Sequence, residues 1–288
     1  IYWTRLLAIP TVRGFVMNVY QSFFYPLVLC KLFHLKHSSV QIHGDRFYVP
    51  LHNSGGLGII AFGGTRDLYM THLFKQAISA GMTVVDVGAY IGYYTLSAAQ
   101  LVGEEGKVFA FEPDPDNYSY LIRNIKVNGY NNITPIPKAV SDHDGTSTLF
   151  VDLYDSTCHS LYPIPRRAGV KKISVELVML DTILTGESVQ VIKIDVEGAE
   201  LAVLRGMRRI LVSNPKLILF VELQLRNLER GGTTSFDLLL FLREQGFEVF
   251  LIDEKKRALQ PISQGTLLRE TYQREQNLLC IRKENIIT

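Results

Sequence analysis

The chain has too little cysteine to be held together by disulfides. Its three cysteines, Cys30, Cys158 and Cys280, are odd in number and far apart, and no two form a Cys-x-x-Cys pair. That argues against a disulfide framework and a thiolate zinc site, and it suits reduced thiols in a cytoplasmic protein. A surplus of one charge is also missing. Lys and Arg total 30 against 28 Asp and Glu, a net charge of +2. With no concentrated basic stripe, nucleic acid is not an expected partner. Nor is there the run of about 20 apolar residues that a membrane-spanning helix needs. The nearest approach, Gly14–Cys30, carries no charge but is interrupted by Asn18, Gln21, Ser22 and Pro26 and bounded by Arg13 and Lys31. It reads as a partly buried helical arm. The alternative is an interfacial helix that makes residues 14–35 a peripheral membrane contact, since basic and aromatic side chains mix there. No small-residue cleavage site follows, so it does not read as a signal peptide.

What is present is an ordinary globular composition. Of 288 residues, 47% are hydrophobic and 20% charged, enough apolar surface for a full core. The length predicts one large domain or a domain with an appendage. The expected division is an N-terminal helical arm and short β extension over 1–65, then an α/β domain over 66–288. Arg46–Pro50 and Leu57–Phe62 read as short strands around an Asn53-Ser54-Gly55-Gly56 turn. Leu68, Tyr69, Leu73, Phe74, Ala77 and Ile78 share a helical face that Gly81 ends.

From Thr83 onward, short apolar runs alternate with helix patterns. The runs are Thr83–Val87, Lys107–Phe111, Ile133–Val140, Val189–Ile194, Leu217–Leu223, Phe247–Ile252 and Leu278–Ile281. Runs of this kind suit strands covered on both faces. Tyr118–Ile125, stopped at Asn128-Gly129, and Val203–Leu211 read as helices between them, as does a third helix capped by Ser235 and stopped by Gly246. Alternation of this type predicts a mainly parallel sheet between two helical layers. An insertion at about 141–188 breaks the rhythm, with Thr146–Leu153 and Lys171–Leu177 alternating like hairpin arms around Tyr154–Gly169.

The chemistry concentrates at the strand ends. Asp86-Val87-Gly88-Ala89-Tyr90-Ile91-Gly92 places a glycine turn between a strand and a helix start. A dinucleotide fingerprint needs Gly-x-Gly-x-x-Gly with its N–H groups on a pyrophosphate. Here three residues separate the glycines, and a carboxylate stands two before the first. That charge would repel a pyrophosphate and suit a ligand carrying an ammonium and a sulfonium. Glu112-Pro113 ends the second strand, about 20 residues on, where an acid can accept from both ribose hydroxyls. Ser141-Asp142-His143 follows the third strand, and Asp142 is a candidate for an adenine amino group or for a simple turn. Lys193-Ile194-Asp195-Val196-Glu197-Gly198-Ala199-Glu200 ends the fourth. Carboxylates there need a partner if buried. Asp195 reads as functional, Glu197 equally as a cap of the next helix, and Lys193 as a partner for a neighbouring carboxylate.

Asp86–Gly92, Ala110-Phe111-Glu112-Pro113, Leu180-Asp181 and Lys193–Glu200 together resemble the FkbM family of methyltransferases, over roughly Arg66 to Lys283. The resemblance implies a class I methyltransferase fold, a Rossmann-like three-layer sandwich with seven strands, mainly parallel, the last antiparallel. It implies S-adenosylmethionine as methyl donor and a hydroxyl acceptor on a sugar, glycan, lipid or polyketide. Asp86, Gly88, Ala89, Tyr90, Gly92, Glu112, Pro113, Asp142 and Asp195 become the expected cofactor residues. Tyr90 stands where relatives often have Asn, and Met179 where they often have Thr. No catalytic base carries over. A hydroxyl is a poor nucleophile and calls for one, and Asp195, Glu222 and His159 are the candidates; a metal-assisted route through Asp195 and Glu222 is the alternative, but no ligand cluster compels it and no metal is assigned. An oxidoreductase on a related sheet and a non-catalytic cofactor-binding protein are the rival readings. The missing third glycine opposes the first, and the acids at three strand ends oppose the second.

Overall fold

A computed structural model describes residues 37–51, 54–62, 67–165, 169–262 and 276–282. The expected N-terminal arm and the 14–35 segment lie outside them. No helix among the described residues is long and apolar enough to cross a membrane. The chain divides into two units. The smaller takes the residues described before Asp67 together with Tyr154–Ser156, and the larger takes 67–153 and 157–288.

In the smaller unit, β1 (His37–Ile42) and β2 (Asp45–Pro50) form an antiparallel hairpin. His43 and Gly44 turn it with φ of 53° and 96°, the pair of positive values that matches strand twist in a tight hairpin. Leu57–Phe62, expected as a strand, belongs instead to helix α1 (Ser54–Phe62). A short apolar run has no period that separates the two forms, and Gly55 and Gly56 are helical rather than a turn. Gly56 is required there, since a Cβ would lie 1.8 Å from the Pro50 carbonyl oxygen.

The larger unit is built on eight strands: β3 (Thr83–Val87), β4 (Lys107–Phe111), β5 (Ile133–Ile136), β9 (Val191–Ile194), β10 (Ile218–Leu223), β11 (Phe247–Asp253), β12 (Ala258–Pro261) and β13 (Gln276–Arg282). Their order is β12-β11-β13-β10-β9-β3-β4-β5. From β5 to β10 every pairing is parallel, and β13 inserts antiparallel between β10 and β11. This is the expected sheet with its last strand reversed, extended at one edge by β12. The expected third run splits. Pro137-Lys138 separates β5 from β6 (Ala139–Val140), which leaves the main sheet to pair with β8 (Val170–Val178). β8 also pairs antiparallel with β7 (Gly145–Asp152), from Gly145 opposite Leu177 to Asp152 opposite Val170. The insertion is therefore a hairpin with its own small core of Ala139, Leu149, Val151, Val175 and Leu177.

Side-chain alternation along the central strands assigns the two faces. Val85, Val87, Ile192, Ile194, Leu219 and Val221 pack on one side with α6 (Glu200–Arg205), α7 (Arg208–Ser213) and α9 (Ser235–Glu244). On the other side Phe220 meets Phe74 of α2 (Leu68–Gln76) edge-on at 5.4 Å, and Phe74 meets Tyr94 of α3 (Tyr93–Val102) at 5.1 Å. The stripe expected as one helix over Val203–Leu211 is two, broken at Gly206-Met207. A Cβ on Gly206 would lie 2.0 Å from the Ser141 carbonyl, so the chain bends where β6 passes close. Thr234, not Ser235, caps α9, in a reciprocal box with Asp237.

Leu180-Asp181 has a structural task. Leu180 is fully buried in the short helix α5 (Leu180–Ile183). Asp181 accepts from the N–H groups of Arg209 and Ile210 at 2.8 and 3.0 Å, satisfying the start of α7 from a distant element. Asp181→Ala should cost roughly 1–2 kcal/mol, a melting temperature lower by about 2–4 °C per kcal/mol. Calorimetry checks this, and an unchanged melting temperature would remove the cap from the account.

Candidate cofactor site

Strand register builds the centre of the site. Asp86 of β3 lies opposite Lys193 of β9, which lies opposite Phe220 of β10. The period of two then puts Asp195 and Glu222 on the same side, one step nearer the carboxyl ends. Lys193 is only 3% exposed. Its Nζ donates to Asp195 Oδ2 at 2.8 Å and lies 4.8 Å over the Tyr94 ring. Burial pulls its pKa down, but Asp195, Asp86 and Glu222 outweigh that and hold it above its ordinary value. Asp86 is 1% exposed. Its Oδ2 accepts from Thr95 Oγ1 at 2.6 Å, while Oδ1 is buried with no hydrogen-bond partner among the described residues. Burial raises the Asp86 pKa, and Lys193 opposes the shift.

The glycine turn is tied to β4. The N–H groups of Gly88 and Ala89 both donate to the Phe111 carbonyl, at 3.0 and 2.9 Å, and that of Gly92 donates to Ala89. Tyr90 N–H donates to Glu112 Oε2 at 2.8 Å, and Asp114 N–H to Glu112 Oε1 at 2.9 Å, across Pro113. Tyr90 takes φ +53°, left-handed for a residue with a side chain. At Gly88, φ is +83° and a Cβ would lie 1.8 Å from the Asp195 carbonyl oxygen. This glycine is demanded by the protein's own close crossing of two loops. Beyond it, Asp114 accepts from Asp116 and Asn117 N–H and caps α4 (Pro115–Asn128).

After β9 the chain turns through Glu197 and Gly198, with φ of +56° and +111°. Glu200 Oε1 accepts from Gly198 N–H at 3.0 Å and Val196 N–H at 3.3 Å, so Glu200 rather than Glu197 fastens this turn. Burial pushes the Glu200 carboxyl up to about 7. Glu197, read equally as a cap, accepts from Asn227 Nδ2 instead, and Asn227 accepts from Arg230. Asp195, Glu197 and Glu222 each offer one oxygen, all within 4.8 Å of one another. These three are the described residues able to share a divalent cation, and Lys193 already balances one of their charges.

His159 does not stand open as a base. Its Nδ1 accepts from Asp152 N–H at 3.1 Å, which leaves the ring proton on Nε2, 4.0 Å from Asp114 Oδ1. The side chain is 9% exposed. The insertion thus lays His159 beside the α4 cap, and its lone pair is committed to the backbone. Asp142 stands two residues beyond β6. Its Oδ1 meets His143 Nδ1 at 2.7 Å, which holds its carboxyl below the usual range. It lines a cavity of about 310 Å³ together with Tyr162, Gly198 and Arg205. Tyr94, Thr95, Asp114 and Asn227 were not readable as site residues, and Glu200 was read only as the end of the Lys193–Glu200 motif. Only Thr95, at helical spacing from the glycine turn, carried a faint signal.

The donors and acceptors fit S-adenosylmethionine better than a dinucleotide. The N–H groups of Gly88, Ala89, Tyr90 and Gly92 are spent within the protein, so they are not available to a pyrophosphate. Each Glu112 oxygen holds one N–H and keeps a further lone pair for a ribose hydroxyl. Asp86 Oδ1 is a buried acceptor that suits an ammonium.

Burial pushes the Glu112 carboxyl up to about 8, with Asp114 adding to the shift and the two N–H bonds opposing it. Its folded pKa therefore exceeds its unfolded value, and the folded protein holds the extra proton between the two. Wild-type stability should fall as pH rises from about 5 to 8, by at most roughly 1.4 kcal/mol per unit. Glu112→Gln removes this contribution. The melting temperature of the variant relative to wild type should climb across that window and level off above it. A pH-independent difference would show that Glu112 is ionised throughout.

Residues 86–249 match the family model described as the methyltransferase FkbM domain. The methyltransferase sdnD of Sordaria araneosa is 28% identical over 174 residues, 49% of this chain and 67% of that protein. The hexuronic acid methyltransferase AglP of Haloferax volcanii is 32% identical over 138 residues, 44% of this chain and 51% of that protein. A solved rRNA methylase from Streptococcus thermophilus has a TM-score of 0.46 and 14% identity, over 76% of this chain and 97% of that one. A likeness of that strength carries no functional argument. The family match covers more than half of the chain, and the oxidoreductase and non-catalytic readings fall away: the chain belongs to the FkbM methyltransferase domain family.

Proposed function

We propose that this methyltransferase moves a methyl group from S-adenosylmethionine to a hydroxyl of a sugar or polyketide-type acceptor, with Asp195 taking the proton. The observation that carries the reading is the acid set on one sheet face, Asp86, Asp195 and Glu222 around Lys193, beside a turn whose N–H groups are already used. That set suits a cationic nucleoside. The curated relatives, one named for a hexuronic acid, support a sugar hydroxyl. So does the strand end itself, where Asp195-Val196-Glu197-Gly198 stands in place of the Asn/Asp-Pro-Pro-Tyr/Phe usual for amino acceptors.

When bound, S-adenosylmethionine supplies a methyl carbon already activated by a sulfonium. The protein's part is alignment and proton removal. Glu112 would hold the ribose hydroxyls, and Asp86 would take the ammonium with its unpartnered oxygen. Asp195 is the carboxylate that an acceptor can reach: its side chain is 39% exposed, whereas Glu222 is 5% exposed. Lys193 fixes the orientation of Asp195 through one oxygen and leaves the other for the acceptor hydroxyl. His159, with its lone pair engaged, is not given the role. Gly88, Tyr90 and Gly92 shape the turn, and Pro113 orients the Glu112 end of β4.

S-adenosylhomocysteine should raise the melting temperature of the wild-type protein, by an amount equal to about 2.7 kcal/mol at 100 times Kd, and NAD should not. Glu112→Gln should abolish most of that rise. Asp195→Asn keeps an acceptor for Lys193, so it should keep the rise while cutting methyl transfer from labelled cofactor into glycan extracts by roughly 10²–10⁴-fold. A wild-type rate in Asp195→Asn would remove it as the base. No labelled product with wild type would overturn the hydroxyl reading.

A further inference from the structure

Asp86 is anchored at one oxygen and open at the other. Its Oδ2 accepts from Thr95 Oγ1 at 2.6 Å. Its Oδ1 is buried and has no hydrogen-bond partner among the described residues. Thr95 is fully buried and Asp86 only 1% exposed. A bond this short between a hydroxyl and a carboxyl oxygen, away from water, is of the charge-assisted kind.

The helix that carries Thr95 lacks a cap of its own. Gly92 stands at the N-cap of α3, no side chain caps there, and the first turn holds no acid. Thr95 is the third residue of that helix, and both its hydroxyl and its N–H act on Asp86. Asp86 thus caps α3 from the neighbouring strand and satisfies a donor of the first turn. Capping accounts for Oδ2 and leaves Oδ1 unexplained. A buried carboxylate oxygen without a donor costs stability, and an arriving ammonium is a donor that removes the cost.

Burial works against the charge that an ammonium needs. It raises the Asp86 pKa; Lys193 opposes the rise, the Thr95 hydroxyl opposes it next, and Asp195 adds to it. Lys193 and Asp195 come from β9 and the turn after it. β4 sets only Ala110 alongside, and Glu222 reaches Lys193 from β10. Lys193 acts from a distance, since its Nζ donates to Asp195. The hydroxyl of Thr95 is the group that holds the Asp86 carboxylate directly.

Resting on the reading of Asp86 as the ammonium ligand of S-adenosylmethionine, we propose that Thr95 is the positioning residue for the methionine end of the cofactor. Its hydroxyl fixes Oδ2 so that Oδ1 is presented to the ammonium, and it favours the ionised carboxylate. It acts through Asp86. The adenosine end, assigned to Glu112, does not depend on it.

Isothermal titration of the full chain with S-adenosylhomocysteine and with 5′-methylthioadenosine tests this, since the second ligand lacks the amino-acid end. Wild type should bind the first at least about tenfold tighter, the strength of one hydrogen bond to a charged group. Thr95→Val should lose about tenfold on S-adenosylhomocysteine and stay within about twofold on methylthioadenosine. The loss should deepen from about pH 8 to about pH 6, because without the hydroxyl the carboxyl takes up its proton at a higher pH. The ratio of the two Kd values cancels Glu112, which would meet the ribose that both ligands carry. Thr95→Ser should restore the wild-type ratio. Asp86→Asn should narrow the ratio equally at every pH, and Thr95→Val added to it should narrow it no further. Where Thr95→Val fails to fold, Thr95→Cys, a weaker donor, should give an intermediate ratio. The inference is overturned if Thr95→Val or Thr95→Cys keeps the wild-type ratio, if both ligands weaken alike, or if Thr95→Ser behaves as Thr95→Val. A wild type that binds both ligands equally would sink the Asp86 reading and the inference with it. A wild type that binds neither would sink the cofactor reading itself.

Discussion

A buried ammonium holds the site together. Lys193 lies in the middle of the central strand β9 with almost no access to water. An isolated charge there would be too costly to keep. It is stable because the neighbouring strands bring carboxylates to it: Asp86 from β3, Asp195 from its own strand two residues on, and Glu222 from β10. The Tyr94 ring covers it from α3. Asp86 and Glu222 would themselves be penalised by burial, so the group is stable only as a set. Removing one member leaves the others uncompensated. The same requirement gives the site its chemistry. One acid oxygen on Asp86 is left unmatched, and Asp195 keeps a face toward solvent, which are the features a cationic cofactor and an acceptor hydroxyl can use.

The glycine turn works differently from a phosphate loop. In a phosphate loop the backbone N–H groups are free and aimed at the ligand. Here they are turned inward, to the Phe111 carbonyl and the Glu112 carboxylate, so the turn and the second strand end form one rigid piece. Gly88 is small because the Asp195 carbonyl crosses it, which fastens the turn to the third strand end as well. Three segments far apart in sequence are thereby locked at the carboxyl edge of the sheet, before any ligand arrives. The burial of Glu112 in this piece costs stability at neutral pH, a common exchange at sites that bind.

The insertion between β6 and β9 is a structural brace. Its hairpin has a separate small core, and its descending segment brings His159 down to Asp114 and Ser160 up to the Glu197 carbonyl, 2.7 Å away. It braces the ends of β4 and β9 and leaves the cavity at its flank. A histidine that looked like a base in a loop is thus a brace with its lone pair engaged.

The sheet and the motifs that meet at its strand ends were legible in the sequence, because both are written locally. Apolar runs of five or six residues specify strands, and Asp86–Gly92, Glu112 and Lys193–Glu200 are contiguous motifs whose residue types carry their own chemistry. Period and composition were silent where neighbours decided: Leu57–Phe62 became a helix, Val203–Leu211 broke at Gly206 against Ser141, and β6 left the main sheet after Pro137. The partners of the motif residues also came only from tertiary structure. Thr95 on Asp86, Tyr94 over Lys193, Asn227 on Glu197 and Arg205 in the cavity are set by strand register and by close backbone crossings. Those depend on which segments meet in space, and no local pattern encodes that. The sequence by itself determined which motif residues stand at the strand ends; register and packing decided which acids share the buried ammonium, which one keeps a face toward solvent and that the His159 lone pair is engaged, because those contacts join segments distant in the chain.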